Sequence, residues 1–346
     1  MRILEKRQIA IYKGNKHIEI KNEKIPKLKK NEILIRIVVS GICGTDVKTY
    51  MRGHPAFKPP VILGHEFSGI VDEVGIDVKS CQVGDKVTVA PYIECGQCYF
   101  CKNGDYTLCE NKKFMNSGAF AQYIIVNDNY AHEAMIKIDN NIDFDVASLT
   151  EPIACCFNAI EQIKVEKDEV IMIIGAGVMG ILNGFICKEK GAKKIFITDN
   201  NSERLSIAKT LGLDTINIDY EDPLKKINNI TNNYKCDKVI VAVGDCDAIE
   251  EGFNYIRKGG KIHIFGGPPK DSYLSILSYD IHYKRITLIG SSGYSKKNFV
   301  TSYNFIKKNV SDLKKLITDR YRLKNIEKAL NNVAKGKGLK SIIQFE

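Results

Sequence analysis

No apolar run in this 346-residue chain reaches the ~18 residues that a membrane-spanning helix requires, which argues against a helical membrane protein. The opening stretch, MRILEKRQIAIYKGNKHIEI, alternates charged and apolar residues and lacks the hydrophobic region of a secretory signal, so a cytoplasmic location is expected. Internal repeats and long low-complexity linkers are also missing. The chain therefore reads as folded domains throughout, and its length suggests two of them.

The chain does carry an excess of positive charge, +10 at neutral pH. A nucleic-acid partner is one reading of that excess. A composition rich in Lys, Asn and Ile, spread over solvated faces, is the other. The second is preferred, because the one dense run, Lys24–Lys30, contains a proline and reads as a turn before a strand. Eleven cysteines in a reducing compartment point to metal binding or catalysis rather than disulfides. Cys81, Cys187, Cys236 and Cys246 are scattered and read as small buried hydrophobes.

The first ~150 residues show short strand-like runs broken by Gly and Pro: Glu32–Val39, Phe67–Val74, Lys86–Ala90 and Ala121–Val126. They suggest an all-β, barrel-like body. After Pro152 the pattern changes to strands alternating with helices, at Val170–Ile174, Lys194–Thr198, Thr215–Ile218, Lys238–Val243, Lys261–Phe265 and Ile286–Ile289. Six such strands predict a doubly wound, Rossmann-type nucleotide-binding domain. The tail from Tyr294 predicts two helical segments and a closing strand, Ser341–Phe345, returning to the first domain. The expected organisation is α/β, with residues 1–152 and 294–346 forming a catalytic β-domain and 153–293 a Rossmann domain.

The clearest cofactor signal is an apolar strand running into Gly175-Ala-Gly177-Val178-Met179-Gly180, followed by a helix. Gly175 permits a tight turn, Gly177 a close approach of backbone to pyrophosphate, and Gly180 close packing of helix on strand. The helix N-terminus offers free N–H groups to the phosphates. Asp199 ends the next strand, 19 residues beyond Gly180. A carboxylate there accepts from the ribose hydroxyls and repels a 2′-phosphate, so NAD is expected over NADP. Arg204 could stack on adenine or simply be a solvated helix residue. Val243, at the end of the fourth strand, is counted with Val178 and Met179 among the cofactor-binding residues.

Cys95, Cys98, Cys101 and Cys109 form C-x2-C-x2-C-x7-C. Four thiolates in one short loop can close a tetrahedral zinc with no open position, a structural site. The wider knuckle spacing of a nucleic-acid zinc ribbon, and a stripe of aromatic and basic residues around it, are missing. A second set is dispersed: Cys43 in GICGTD, His65 and Glu66 in GHEFSG, and Glu151 in TEP. A thiolate, an imidazole and a carboxylate leave a fourth position on zinc for water or substrate, which suits Lewis-acid chemistry on an alcohol.

With GICGTD, GHEFSG, CGQCYFCKNGDYTLC, TEPIACC, GAGVMG and the closing KGKGLKSIIQF in this order, the chain resembles the zinc-containing medium-chain dehydrogenases, and among them the polyol (sorbitol-like) dehydrogenases. The resemblance implies a GroES-like catalytic domain around a Rossmann domain. It implies Cys43, His65 and Glu151 as ligands of a catalytic zinc, with Glu66 a nearby carboxylate that binds the metal directly or orients a water. Thr45 would receive the substrate proton and pass it towards the nicotinamide ribose, and Cys155 would lie beside the nicotinamide. A homotetramer is implied, with a dimer as second choice. One departure stands out: where the family often carries a His to end the proton relay, this chain has Lys48, and a cationic lysine accepts no proton.

These features predict NAD-linked oxidation of a secondary alcohol on a polyol, sugar alcohol or sugar-alcohol phosphate, with no nucleic-acid or membrane partner. L-Threonine oxidation is the alternative, as is a simple secondary alcohol. The threonine dehydrogenases resembled here carry a His before the cysteine lobe, where this chain has Tyr92. The stretch Tyr50–Lys58 reads as a loop bordering the substrate. There Arg52, His54 and Lys58 could bind phosphate or be solvated. A zinc-free reductase would lack the four-cysteine lobe, and a scaffold protein would have no use for GAGVMG followed by Asp199.

Overall fold

The computed structural model describes residues 5–115 and 117–345. They form two compact units. One runs up to Pro152 and resumes at Ser295; the other is Ile153–Tyr294. Tyr294, expected with the first domain, belongs to the second unit, is 1% exposed, and follows Gly293, whose carbonyl accepts from Asn158 Nδ2 at 3.0 Å.

The strand Glu32–Gly41 is the spine of the first unit. Its Ile- and Val-rich sequence favours a pleated, buried backbone. It pairs antiparallel with Glu66–Val74 along its length, with Tyr123–Asn127 through Glu32–Arg36, and with Lys340–Gln344 through Val39–Gly41. In that register Gly41 stands opposite both Glu66 and Ile342. Residues from the far end of the chain are thereby delivered beside Cys43. One cluster of this unit's core joins Tyr12, Tyr50, Phe120, Leu330 and Ile343, so residues separated by hundreds of positions share one apolar interior.

Three features of this unit differ from the sequence expectation. An N-terminal hairpin, Lys6–Gly14 with His17–Lys24, forms where only alternation was noted. A further strand, Ile317–Arg322, pairs parallel with Lys340–Gln344; its exposed face is polar, which hides it from a reading based on apolar runs. Gly44–Arg52 is a helix, so the loop expected from Tyr50 begins only after Arg52. Its N-cap is Cys43, a residue outside the usual Ser, Thr, Asp and Asn signals.

The second unit is a six-stranded parallel sheet. Its order is Asp214–Asn217, Lys194–Asp199, Val170–Ile174, Cys236–Val241, Ile256–Ile264 and Thr287–Gly290, the 3-2-1-4-5-6 order of a doubly wound dinucleotide fold. Helices cover both faces, so a central strand such as VIMII is apolar at every position rather than alternating. One core cluster gathers Met172, Phe196, Val239, Val241 and Ile262. No helix among the described residues is long and apolar enough to cross a membrane.

Candidate metal and cofactor sites

The helix Gly44–Arg52 begins with a reciprocal cap. Cys43 Sγ accepts from Thr45 N at 3.4 Å, and Asp46 Oδ2 accepts from Cys43 N at 2.9 Å. Asp46 is 2% exposed, and its other oxygen accepts from Gly64 N at 3.1 Å and lies 3.6 Å from His65 Nδ1. One carboxylate thus fixes both the thiol-bearing turn and the imidazole-bearing turn. Possible ligand atoms of Cys43, His65 and Glu66 all lie within 4.8 Å of one another. Glu151, buried in the first turn of Thr150–Ile163, is not in that group. Thr45 is half-buried two residues beyond Cys43, while Lys48, on the same helix, is exposed.

Glu66 is 1% exposed and forms an ion pair with Lys340, itself 2% exposed. Burial opposes the charge on Lys340, but Glu66, Cys43 and Glu151 outweigh it and hold its pKa above the ordinary lysine value. The same contest occurs at His65. Burial disfavours the imidazolium, yet Asp46 and Cys43 raise its pKa well above 6.5. The thiol, imidazole and carboxylate brought together here are the donor types zinc takes. The donor set fits zinc, with Nδ1 of His65 turned to Asp46 and Nε2 left for a metal.

The cysteine lobe fits zinc on geometry alone. Ligand atoms of Cys95, Cys98, Cys101 and Cys109 lie within 4.8 Å of one another. Sγ–Sγ separations are 3.5 Å for Cys98–Cys101, 3.8 Å for Cys98–Cys109 and 4.0 Å for Cys95–Cys101. A tetrahedral zinc with Zn–S near 2.3 Å requires edges of about 3.8 Å. Backbone N–H groups of Cys101 and Glu110 pull the Cys98 thiol down to about 6, whereas burial and then the Cys98 sulfur push Cys101 up to about 12. The lobe is tied down by Glu94, which accepts from Lys296 N at 3.0 Å at the start of Lys296–Lys308, and by Glu133, which pairs with both Lys113 and Lys296.

In the second unit Gly175 has φ +98°, and a Cβ there would meet Val243 Cγ1 at 2.6 Å, so glycine is required. Gly177 caps the helix Val178–Glu189 without a side-chain bond, and no atom lies within 4 Å of where its Cβ would project. The N-terminal N–H groups of this helix, which begins with Val178, Met179 and Gly180, receive no cap from a side chain of Gly177. Asp199 Oδ2 accepts from Ala176 N at 2.8 Å and Oδ1 from Asn201 N at 2.9 Å, which ties the acidic strand end to the glycine turn. Arg204 is half-buried in Ser202–Thr210, and Cys155 is half-buried in Thr150–Ile163.

Two residues of the metal site went unassigned in the sequence reading. Asp46 stands three positions after Cys43, the spacing of a capping box, and that spacing could have marked it. Lys340 is a lone cation inside the apolar run LKSIIQF, which is unusual in a buried strand.

Comparison with known proteins agrees with this architecture. Residues 29–136 match the alcohol dehydrogenase GroES-like domain, and residues 178–308 match the zinc-binding dehydrogenase family. The chain is 31% identical to the sorbitol dehydrogenase of Bacillus subtilis, over 93% of this chain and 92% of that protein. It is 32% identical to the D-arabitol-phosphate dehydrogenase of Enterococcus avium, covering 92% of each. It is 33% identical to an L-threonine 3-dehydrogenase of Caldanaerobacter subterraneus subsp. tengcongensis, again covering 92% of each. Among solved structures, an alcohol dehydrogenase from Thermotoga maritima superposes with a TM-score of 0.92 at 26% identity, covering 99% of this chain and all of that one. The chain belongs to the zinc-containing medium-chain dehydrogenases, and its relatives include both polyol and threonine dehydrogenases. It is an oxidoreductase of the zinc-dependent alcohol dehydrogenase type, with zinc and a nicotinamide dinucleotide as cofactors.

Proposed function

We propose that this enzyme oxidises a secondary hydroxyl of a polyol, sugar alcohol or sugar-alcohol phosphate to the ketone, with hydride passing to NAD. The observation that carries the reading is the meeting of Cys43, His65 and Glu66 at the start of one helix, with Asp46 behind them. Cys43 and His65 would hold the catalytic zinc, with a carboxylate from Glu151 or Glu66 as third ligand. Zinc bound there supplies a Lewis acid that makes a hydroxyl more acidic. Asp46 holds the His65 ring and the Cys43 turn in place. Thr45, half-buried in the first helical turn, would receive the substrate proton, and a bound dinucleotide would supply the next acceptor. Lys48, exposed on the same helix, stands where the family often carries the His that ends the relay.

Cys95, Cys98, Cys101 and Cys109 hold a structural zinc. Gly175, Gly177, Val178, Met179, Gly180 and Val243 bind the dinucleotide, Asp199 selects NAD, and Arg204 flanks the adenine. The enzyme works in the cytoplasm on a small polyhydroxy substrate, as a homotetramer, with a dimer the next choice. The polyol reading is supported by the sorbitol and D-arabitol-phosphate dehydrogenases among its relatives. L-Threonine is the second reading, favoured by a threonine dehydrogenase of equal similarity; Tyr92, in place of histidine, weighs against it.

The test is NADH formation by zinc-replete protein on polyols, inositols, sugar-alcohol phosphates, threonine and simple secondary alcohols. A polyhydroxy compound should be turned over best. Turnover of threonine alone would replace the substrate class and keep the mechanism. In Cys43→Ala and His65→Ala turnover should vanish while NAD binding survives, and full activity in either would remove the catalytic-zinc assignment.

A further inference from the structure

The carboxylate of Glu66 has two possible cationic partners, a metal ion held by Cys43 and His65 and the ammonium of Lys340. Lys340 opens the strand Lys340–Gln344, next to the last residues of Glu32–Gly41. Its Nζ pairs with Glu66 and also donates to Ile42 O at 3.2 Å. That second bond, to a rigid backbone oxygen one residue before Cys43, fixes the ammonium independently of Glu66. The pair sits over Gly41. A Cβ on Gly41 would lie 3.0 Å from Lys340 Cε and 3.2 Å from Glu66 Cβ and would strike the Glu66 carboxylate. A side chain at this position would therefore push the Glu66 carboxylate and the Lys340 stem out of their present places.

Lys340 and Glu66 are both almost fully buried and meet as an ion pair, so removing the ammonium would leave the Glu66 carboxylate buried without this partner.

We infer that Lys340 is a positioning residue of the metal centre: it withholds the Glu66 carboxylate from the ion in the resting enzyme and so keeps open the coordination position that the substrate hydroxyl takes. The inference rests on Cys43 and His65 being metal ligands, as argued above. It assigns Glu66 a state set by Lys340, and Gly41 the role of seating the pair.

The experiment replaces the metal at this site with cobalt(II) while zinc stays in the four-cysteine lobe. The visible d–d bands then report coordination number, and transfer to a chelator reports the release rate. In Lys340→Met, Glu66 should join the ion: the d–d bands weaken as coordination rises, release slows at least tenfold, and kcat falls. Lys340→Arg should keep the wild-type spectrum. Gly41→Ala, which displaces the pair without removing a charge, should shift the spectrum as Lys340→Met does. Glu66→Gln alone, and combined with Lys340→Met, should leave it as in the wild type. A merely structural role predicts faster release in Lys340→Met, and that result overturns the inference, as does an unchanged spectrum in the folded variant. If Lys340→Met does not fold, Glu66→Gln decides: altered d–d bands would show Glu66 already on the ion beside Lys340. A wild-type protein that takes no cobalt outside the lobe would overturn both this inference and the catalytic-metal assignment.

Discussion

Asp46 lies behind His65, its Oδ1 3.6 Å from His65 Nδ1, while Oδ2 of the same carboxylate accepts from Cys43 N at 2.9 Å. A side chain that holds two ligand-bearing turns at once should influence the metal more than its lack of direct ligation suggests. In Asp46→Asn the charge that orients the imidazole is lost, and metal affinity should fall ~10–100-fold. In Asp46→Ala the helix cap goes too, costing a further ~1 kcal/mol of stability. Zinc retention during dialysis against a graded chelator, together with thermal unfolding, separates the two effects. Equal retention in wild type and Asp46→Asn would show that the carboxylate only caps the helix.

The cysteine lobe should behave differently, because its edges of 3.5–4.0 Å leave a tetrahedral ion no open position. Cys98→Ser or Cys109→Ser should reduce the zinc content from two per chain to one and lower the melting temperature by several degrees. Affinity for NAD should be unchanged. Metal analysis beside calorimetry checks this, and a variant that keeps two zinc ions would refute a structural role for the lobe.

The dinucleotide signal was legible because strand, glycine turn, helix and acid are contiguous and each local choice agrees with the fold. The six strands of the parallel sheet likewise form within a few residues of where apolar runs predicted them. What escaped were features made by distant pairing. Lys340 reaches Glu66 across 274 positions, and no local periodicity announces that meeting. Ile317–Arg322, with its polar outer face, becomes a strand only through the partner Lys340–Gln344. The helix after Cys43 escaped because a thiol stands where a hydroxyl or carboxylate cap is the usual signal.

Asp199 accepts from Ala176 N and Asn201 N, which ties it to the glycine turn where the proposed dinucleotide site lies. Asp199→Ala should lower kcat/KM for NAD by roughly 10–100-fold, since a lost charged hydrogen bond costs about 1.5–3 kcal/mol. Discrimination against NADP should shrink at the same time. Steady-state kinetics with both dinucleotides test this; a preference for NAD as strong as the wild type's would place the selectivity elsewhere.

His263 carries a separate liability in the parallel sheet. It is fully buried, neither ring nitrogen has a hydrogen-bond partner among the described residues, and burial lowers its pKa to about 4. The folded state therefore binds its proton less readily than the unfolded chain, whose histidines titrate near 6.5. Stability from this residue is complete above pH ~6.5 and is lost as pH falls towards 4. The loss should be about 2 kcal/mol between pH ~7.5 and pH ~5. His263→Leu, close in volume and without polar atoms, should remove that part of the acid sensitivity and leave the protein at least as stable at neutral pH. Denaturant unfolding of both proteins at the two pH values checks it, and identical acid sensitivity would show that other groups carry the loss.

The exposed segment after the Cys43 helix is the candidate reader of a phosphate on the proposed substrate. Arg52 closes that helix, His54 packs against Phe57 with ring centroids 5.3 Å apart, and Lys58 follows, with all three basic residues exposed. His54 Nδ1 accepts from Ala56 N at 3.2 Å, so the turn has a defined shape rather than three loose cations. If this turn reads a phosphate, Arg52→Ala should raise KM for a sugar-alcohol phosphate by about tenfold or more, the loss of one charge-assisted contact. KM for the unphosphorylated polyol should stay within twofold, because a hydroxyl gains far less from a guanidinium than a dianion does. If KM rises equally for both, Arg52 supports the fold of the turn and not recognition. If neither changes, the three basic residues are solvated surface and the phosphate variant of the substrate loses this candidate reader. The split in KM distinguishes these cases even when kcat changes, since recognition of a remote group acts on binding before it acts on hydride transfer.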